Sequence, residues 1–283
     1  MATFYNQATL SYNGISTRSN TTAGELVDIL AVTKTALNTT YGSDGTATYV
    51  ISLVNSGTTP LTGLTVTDNL GAYTFNASTL TPLTYTAGTV RYYANGVLQA
   101  APTTVAGPPL VFSGINVPAG GNATLIYETT LNSFAPPAPD SSIVNTVSVT
   151  GDGLTAAATD TETITARTEP RLAITKSLNP VRVTENGRLT YTFTIENTGN
   201  TAADAADLTA VTDTFAPPLS TVSVAFNDTA WAEPANYTYN AATGAFATVP
   251  GQITVPAATY AQNAAGAWTM TPGVAVLTVT GTI

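Results

Sequence analysis

The chain contains no cysteine and no histidine. Without them it can form no Ser-His-Asp triad, no Cys nucleophile, no haem or iron–sulfur ligation and no ordinary zinc site. No disulfide stabilises its fold. Basic residues are scarce too: 8 Lys and Arg stand against 17 Asp and Glu, a formal net charge of −9. An acidic chain offers no footprint for nucleic acid or an anionic membrane. Charged residues make up only 9% of the chain and hydrophobic ones 43%, so it is not a charge-rich disordered polymer. No run of about 18 apolar residues occurs, and no membrane insertion is expected. The leading residues, MATFYNQATLSYNG, have neither a basic nor an apolar stretch, so no signal peptide is expected in them.

What is present is abundant Thr, Val, Ala, Tyr and Gly, a composition suited to pleated sheet joined by turns. The length fits two domains, each large enough for a core. Internal similarity is plain. Residues 30–57, LAVTKTALNTTYGSDGTATYVISLVNSG, align without a gap on residues 172–199, LAITKSLNPVRVTENGRLTYTFTIENTG. Lys34/Lys176, Gly45/Gly187, Tyr49/Tyr191, Asn55/Asn197 and Gly57/Gly199 coincide. The parallel continues through LTVTDNL around Asp68 and LTAVTDTF around Asp213, and through INVPA at Ile115 and ITVPA at Ile253. ATLIYETTL at Ala123 matches VAVLTVTGTI at Val274. Alternation in ATYVISLVN, LTYTFTIEN and VAVLTVT, with turns at GSDG, ANG, PAGG and ENG, predicts strands nearly throughout and no helix. The expected fold class is all-β, with two tandem immunoglobulin-like β-sandwiches.

The copies differ at one end. The first runs on through FAPPAPDSS into a further strand at 143–149, whereas the second stops at Ile283 without it. The missing pattern lies at the front. Residues 4–14 match residues 143–151, with Asn6 over Asn145, Ala8 over Val147 and Leu10 over Val149. A short second strand, about Thr22 to Asp28 or Thr159 to Ala166, follows in both places. The expected organisation is a donor strand or hairpin over 1–28, a complete sandwich over 29–166, and an incomplete sandwich with an acceptor groove over 167–283. A sandwich short of one strand exposes core residues and unpaired backbone. A peptide strand fills such a groove by β-augmentation. Phe4, Asn6, Ala8, Leu10 and Tyr12 lie on one face of the candidate donor. Two recipients are open, the second domain of the same chain and that of the next molecule; since a complete domain separates donor from acceptor in sequence, the expected one is a second copy of the chain. Head-to-tail contacts of that kind need not close, and where they do not they build a fibre.

Lys34 and Lys176 are the only lysines, and each is in phase with apolar neighbours. Asp68 follows Leu64 and Val66 in phase, Asp213 follows Val211, Asn145 sits between Ile143 and Val147, and Asn6 between Phe4 and Ala8. The strand period turns all of them toward the core, where unpaired polar groups are costly. A buried Lys shifts toward its neutral amine and a buried Asp toward its acid. The amine then attacks the Asn side-chain carbonyl carbon while the acid polarises that carbonyl, leaving an isopeptide bond and ammonia. The expected bonds are Lys34–Asn145 within a chain and Lys176–Asn6 between chains, promoted by Asp68 and Asp213 with no cofactor. Simpler readings exist for each: lysines snorkelling from strand starts, aspartates bonding turn backbone, asparagines at sheet edges. Glu128 is a rival acid, but it lies out of phase with Leu125 and Tyr127.

The pattern VTKT, NSG, VTDN, VPAG and NTVSVTG resembles the bacterial cell-surface repeat of the domain-of-unknown-function-eleven type. The inward Lys, Asp and Asn set resembles the isopeptide-forming immunoglobulin-like domains of Gram-positive pilins and adhesins. The first copy matches throughout and the second up to its shortened end. The resemblance implies a stalk or fibre subunit at a cell surface, as in pili, and no enzyme beyond single-turnover self-modification; by analogy, an acidic, Thr-rich subunit without a signal peptide also suits an appendage of the kind spores carry. The alternative is an adhesin or glycan-binding module using Tyr5, Tyr92, Tyr93, Trp231 and Trp268. The acidic turns GSDG and GDG are sparse for calcium, and no metal is expected.

Overall fold

The computed structural model describes residues 2–26, 29–42 and 45–283. The chain divides into two compact units, Met1–Ala135 with Ile143–Ile164, and Pro136–Ser142 with Thr165–Ile283. Both are built from strands. Among the described residues the one helical turn is a 3-10 turn at Ala205–Asp207, capped by Asp204.

The chain begins with an arm of four short strands, β1 (Ala2–Asn6), β2 (Thr9–Tyr12), β3 (Ile15–Arg18) and β4 (Thr22–Leu26). β1 pairs antiparallel with β4 and β2 with β3. The arm is therefore one interrupted hairpin turning at Asn13-Gly14, both with positive φ, as a two-residue hairpin turn requires. The uninterrupted donor strand expected from the alternation is broken at Gln7–Ala8. There the Gln7 side chain donates to the Ser19 carbonyl at 2.8 Å, and the Ala8 N–H donates to Ser19 Oγ at 3.0 Å. The second strand ends at Leu26; its expected end at Asp28 lies outside the described residues.

The first unit continues with β5 (Leu30–Ala36), β6 (Thr40–Tyr41), β7 (Thr46–Asn55), β8 (Leu61–Asp68), β9 (Tyr73–Phe75), β10 (Ser78–Leu80) and β11 (Leu83–Tyr85). Then come β12 (Arg91–Ala94), β13 (Val97–Leu98), β14 (Thr103–Val105), β15 (Leu110–Val117), β16 (Asn122–Leu131), β17 (Ser142–Thr150) and β18 (Ala158–Ala166). Two sheets form, in the orders β13-β12-β16-β7-β5 and β14-β15-β8-β17-β18-β6. The alternation read from the sequence sets their inner faces: Tyr49, Ile51, Leu53, Leu64, Val66, Leu125 and Val149 are all fully buried.

The second unit holds β19 (Leu172–Asn179), β20 (Arg188–Asn197), β21 (Thr212–Thr214), β22 (Ser220–Phe226), β23 (Thr229–Trp231), β24 (Tyr237–Asn240), β25 (Ala245–Thr248), β26 (Thr259–Gln262), β27 (Trp268–Thr271) and β28 (Gly273–Thr282). Its first sheet, β19-β20-β28-β22-β23, reproduces β5-β7-β16-β12-β13 strand for strand. Its second, β21-β25-β24, reproduces only β8-β15-β14 and ends at β21. Nothing among its described strands takes the places of β17, β18 and β6. The chain is thus all-β, two tandem immunoglobulin-like sandwiches with the second short of its final strands.

The shared Asn of each NSG and NTG motif has a structural role. Asn55 Oδ1 accepts the Gly57 N–H at 2.9 Å, and its amide donates to the carbonyls of Thr59 at 2.9 Å and Pro118 at 3.1 Å. Asn197 does the same with Gly199, Thr201 and Pro256. Each buried amide fastens a turn whose backbone groups would otherwise go unpaired.

Candidate functional site

β5 and β7 bring Lys34 opposite Ile51, and β19 and β20 bring Lys176 opposite Phe193, so the two lysines occupy the same register. In both units the ammonium lies over a tyrosine ring, Tyr49 at 4.7 Å and Tyr191 at 4.5 Å. In both it also donates to an aspartate, Lys34 to Asp68 and Lys176 to Asp213.

In the first unit the site is sealed. Lys34 is 2% exposed, and Asp68 and Asn145 are fully buried. Asp68 Oδ2 accepts from Lys34 Nζ and from the Tyr127 hydroxyl, which itself lies 3.2 Å from Nζ. Asp68 Oδ1 accepts the Leu70 N–H at 2.8 Å, so one carboxylate both pairs the lysine and bonds the turn. β17 lies beside β8 with Val147 opposite Asp68 and Val149 opposite Val66, which delivers Asn145 to the cluster. Asn145 Oδ1 accepts the Gly71 N–H at 3.2 Å, while its Nδ2 makes no hydrogen bond of good geometry. The same holds for the Tyr49 hydroxyl. β18 closes the edge: Asp160 accepts the backbone N–H of Lys34 at 2.6 Å, and Ile164 is fully buried.

Burial pushes the Lys34 ammonium below its usual range, against the pull of Asp68, Glu162 and Asp160. Burial likewise raises the Tyr127 phenol well above its usual range, with the Asp68 charge adding to it and the neighbouring Asn145 amide opposing it. Tyr127 therefore stays a proton donor. A lowered lysine gives up its proton more readily than an exposed one, and its neutral amine is a nucleophile; the Asn145 side-chain carbonyl carbon is the electrophile nearest in kind. Glu128, the rival acid, is exposed and turned away. Tyr127 is the member that sequence reasoning missed. It reads as an ordinary core aromatic, stacked on Tyr49 at 5.8 Å; only its difference from Val279, at the matching place opposite Tyr191, marks it.

In the second unit the same groups stand open. The Lys176 side chain is 40% exposed, and every residue of β19 from Leu172 to Ser177 faces solvent. Asp213 Oδ1 accepts the Thr214 N–H at 2.8 Å, but no phenol reaches the acid. Asn6 ends β1, paired with Thr22 in the arm. Phe4, Ala8, Leu10 and Tyr12 are all exposed, Phe4 at 54% and Leu10 at 63%, where the aligned Ile143 and Val149 are buried. Two of the aromatic candidates for sugar binding are engaged within their own units. Tyr92 is buried with its hydroxyl on the Asn116 carbonyl at 2.7 Å, and Trp231 packs against Phe226 at 5.0 Å. Asp44 of the GSDG turn lies outside the described residues. Among those described, no cluster of acidic side chains suits a metal ion.

No protein-family model matches the chain, and no curated protein matches it. Among solved structures it is similar to the pilus backbone RrgB of Streptococcus pneumoniae, at 12% identity over 86% of this chain and 55% of that one, TM-score 0.34. It is similar to BcpA, the major pilin subunit of Bacillus cereus, at 9% identity over 94% and 70%, TM-score 0.38. It is also similar to a family 123 glycoside hydrolase of Clostridium perfringens, at 10% identity over 48% and 27%, TM-score 0.30. The chain spans about half of RrgB and about a quarter of the hydrolase. Likenesses this faint do not distinguish a pilin from a hydrolase.

Proposed function

We propose that the chain is a structural subunit of an extracellular, pilus-like fibre at a cell or spore surface, polymerising head-to-tail with copies of itself. The arm of one subunit fills the second unit of the next. One observation carries this reading: the second unit lacks the places that β17, β18 and β6 occupy in the first, while the arm repeats the β17 pattern and leaves its apolar face uncovered. Each junction is then locked by an isopeptide bond, as is each first unit.

The chemistry balances without a cofactor. Lys34 gives one proton to Asp68 and its neutral Nζ forms a bond to Asn145 Cγ. The Cγ–Nδ2 bond breaks, Nδ2 takes a second proton from the attacking nitrogen, and ammonia departs, collecting the proton held by Asp68. Lys176, Asp213 and an incoming Asn6 repeat the sequence between chains. The reaction is single-turnover self-modification, so the chain is not an enzyme in the ordinary sense.

The test is to boil purified assemblies in detergent and to compare the full chain with one lacking residues 2–26. The arm lends no strand to either sheet of the first unit, so the shortened chain retains both sandwiches. The full chain gives a ladder of multimers and the shortened one a monomer. Polymers from the shortened chain would overturn the reading.

A further inference from the structure

We propose that the second unit receives both strands of the arm together, as a ready-made hairpin, and that residues 181–183 then close over it as a new outermost strand. This rests on the assembly just described and specifies its partner surface, a second copy of the chain docked in one register.

Three observations lead there. First, the arm is already paired along its length, Phe4 with Gly24, Asn6 with Thr22, Leu10 with Thr17 and Tyr12 with Ile15. The Phe4 ring lies over Gly24 so closely that a Cβ there would run into it. Giving up one strand alone would break every one of these pairs and leave β3 and β4 with unmatched backbone. Second, the first unit solves the same problem with two strands. Outward from β8 come β17, then β18, then β6. Third, the gap-free repeat sets Thr40–Tyr41, the β6 strand, over Arg182–Val183. Tyr41 is buried, but Val181 is 81% exposed and residues 180–184 form no strand. Val183 already packs against the second core, so the segment is held at one point while its backbone lacks a sheet to join.

The register follows from β17 on β8. Val147 lies opposite Asp68, Ser148 opposite Thr67 and Val149 opposite Val66. Carried through the two alignments, Ala8 comes opposite Asp213, Thr9 opposite Thr212 and Leu10 opposite Val211. A shift by one residue would turn Leu10 away from the core and Asn6 away from Lys176.

The chain has no cysteine, so pairwise disulfide trapping is clean. Full-length Thr9→Cys protein is mixed with Thr212→Cys protein under mild oxidation, with Thr214→Cys as the register control. Linked heterodimers are expected for Thr212 and at least about tenfold fewer for Thr214. In parallel, hydrogen exchange is followed on wild-type monomer and polymer. The amides of residues 181–184 should slow by about a hundredfold on assembly, as a strand replaces open backbone. Trapping at Thr212 with unchanged exchange at 181–184 overturns the hairpin closure and leaves the assembly intact. Trapping at Thr214 alone overturns the register. If the wild-type chain forms no polymer, the assembly reading fails, and this inference with it.

Discussion

Lys34 and Lys176 stand in the same register, over the same ring and against the same acid, yet one is sealed and the other open to solvent. The difference is not in the lysine, the tyrosine beneath it or the aspartate. It lies in Tyr127 and in the strands β17, β18 and β6, which have no counterpart among the described strands of the second unit. The comparison separates what builds the ion pair from what buries it. A strand pair positions lysine and aspartate by itself, whereas desolvation and the asparagine arrive together on the strand that follows.

Several substitutions bear on that contrast. The largest effect is expected for Lys176→Ala. Its monomer keeps the mass of the unsubstituted monomer, adjusted for the side chain, but its polymers fall to single subunits on boiling, so the ladder is lost completely. Asn145→Ala should do the reverse. The ladder survives, but the monomer no longer lacks the mass of one ammonia. It also loses the stabilisation of a cross-link closing a long loop, about 4–5 kcal/mol in the chain-entropy treatment. For a unit of this size that lowers the first unit's Tm by roughly 10–20 °C in calorimetry. Asn145 is preferred to Lys34 for this test, because removing Lys34 also strands a buried Asp68 carboxylate.

Tyr127→Phe sharpens the contrast further, since it makes the first site resemble the second, where Val279 stands at that position. Losing a hydrogen bond to a charged group costs about 1.5–3 kcal/mol, so bond formation should slow roughly ten- to hundredfold when timed by mass spectrometry on freshly refolded protein. The end product is unchanged.

The smallest effect is one of pH. Tyr49 and Tyr127 have phenols raised by burial in the folded state. Above about pH 10 the unfolded chain loses these protons while the folded chain keeps them. The unfolded state then binds fewer protons, so stability falls as pH rises through that range. Denaturant midpoints between pH 9 and pH 11 should show the fall, and Tyr127→Phe should make it shallower. An unchanged slope would place the phenols' burial in doubt.

Much of this was legible in the sequence, for definite reasons. The repeat is gap-free over residues 30–57 and 172–199, which aligns Lys34 with Lys176, and local motif matches with a two-residue period carry the parallel on to the Asp and Asn positions. Alternation also identified the inner faces, from Tyr49, Ile51 and Leu53 to Leu64 and Val66. The arm was harder. Its alternation runs unbroken through Gln7 and Ala8, but Ser19 binds both neighbours and interrupts the ladder there, which no periodicity encodes. Nor does alternation say which strand a strand pairs with, so it left both a lone strand and a hairpin open for the arm. Tyr127 stayed hidden because a buried tyrosine on an inner face is ordinary. Its hydroxyl matters only through Asp68, which lies 59 positions away in the chain.

The burial of Lys34 has a practical corollary. Apart from the α-amino group, an acylating dye finds one accessible amine on a free subunit, Lys176, because Lys34 is screened. Within a fibre joined as proposed, every Lys176 but the last is consumed. Dye attached at Lys176, measured by peptide mapping apart from the label on α-amino groups, would then count chain ends and give the average length of a preparation.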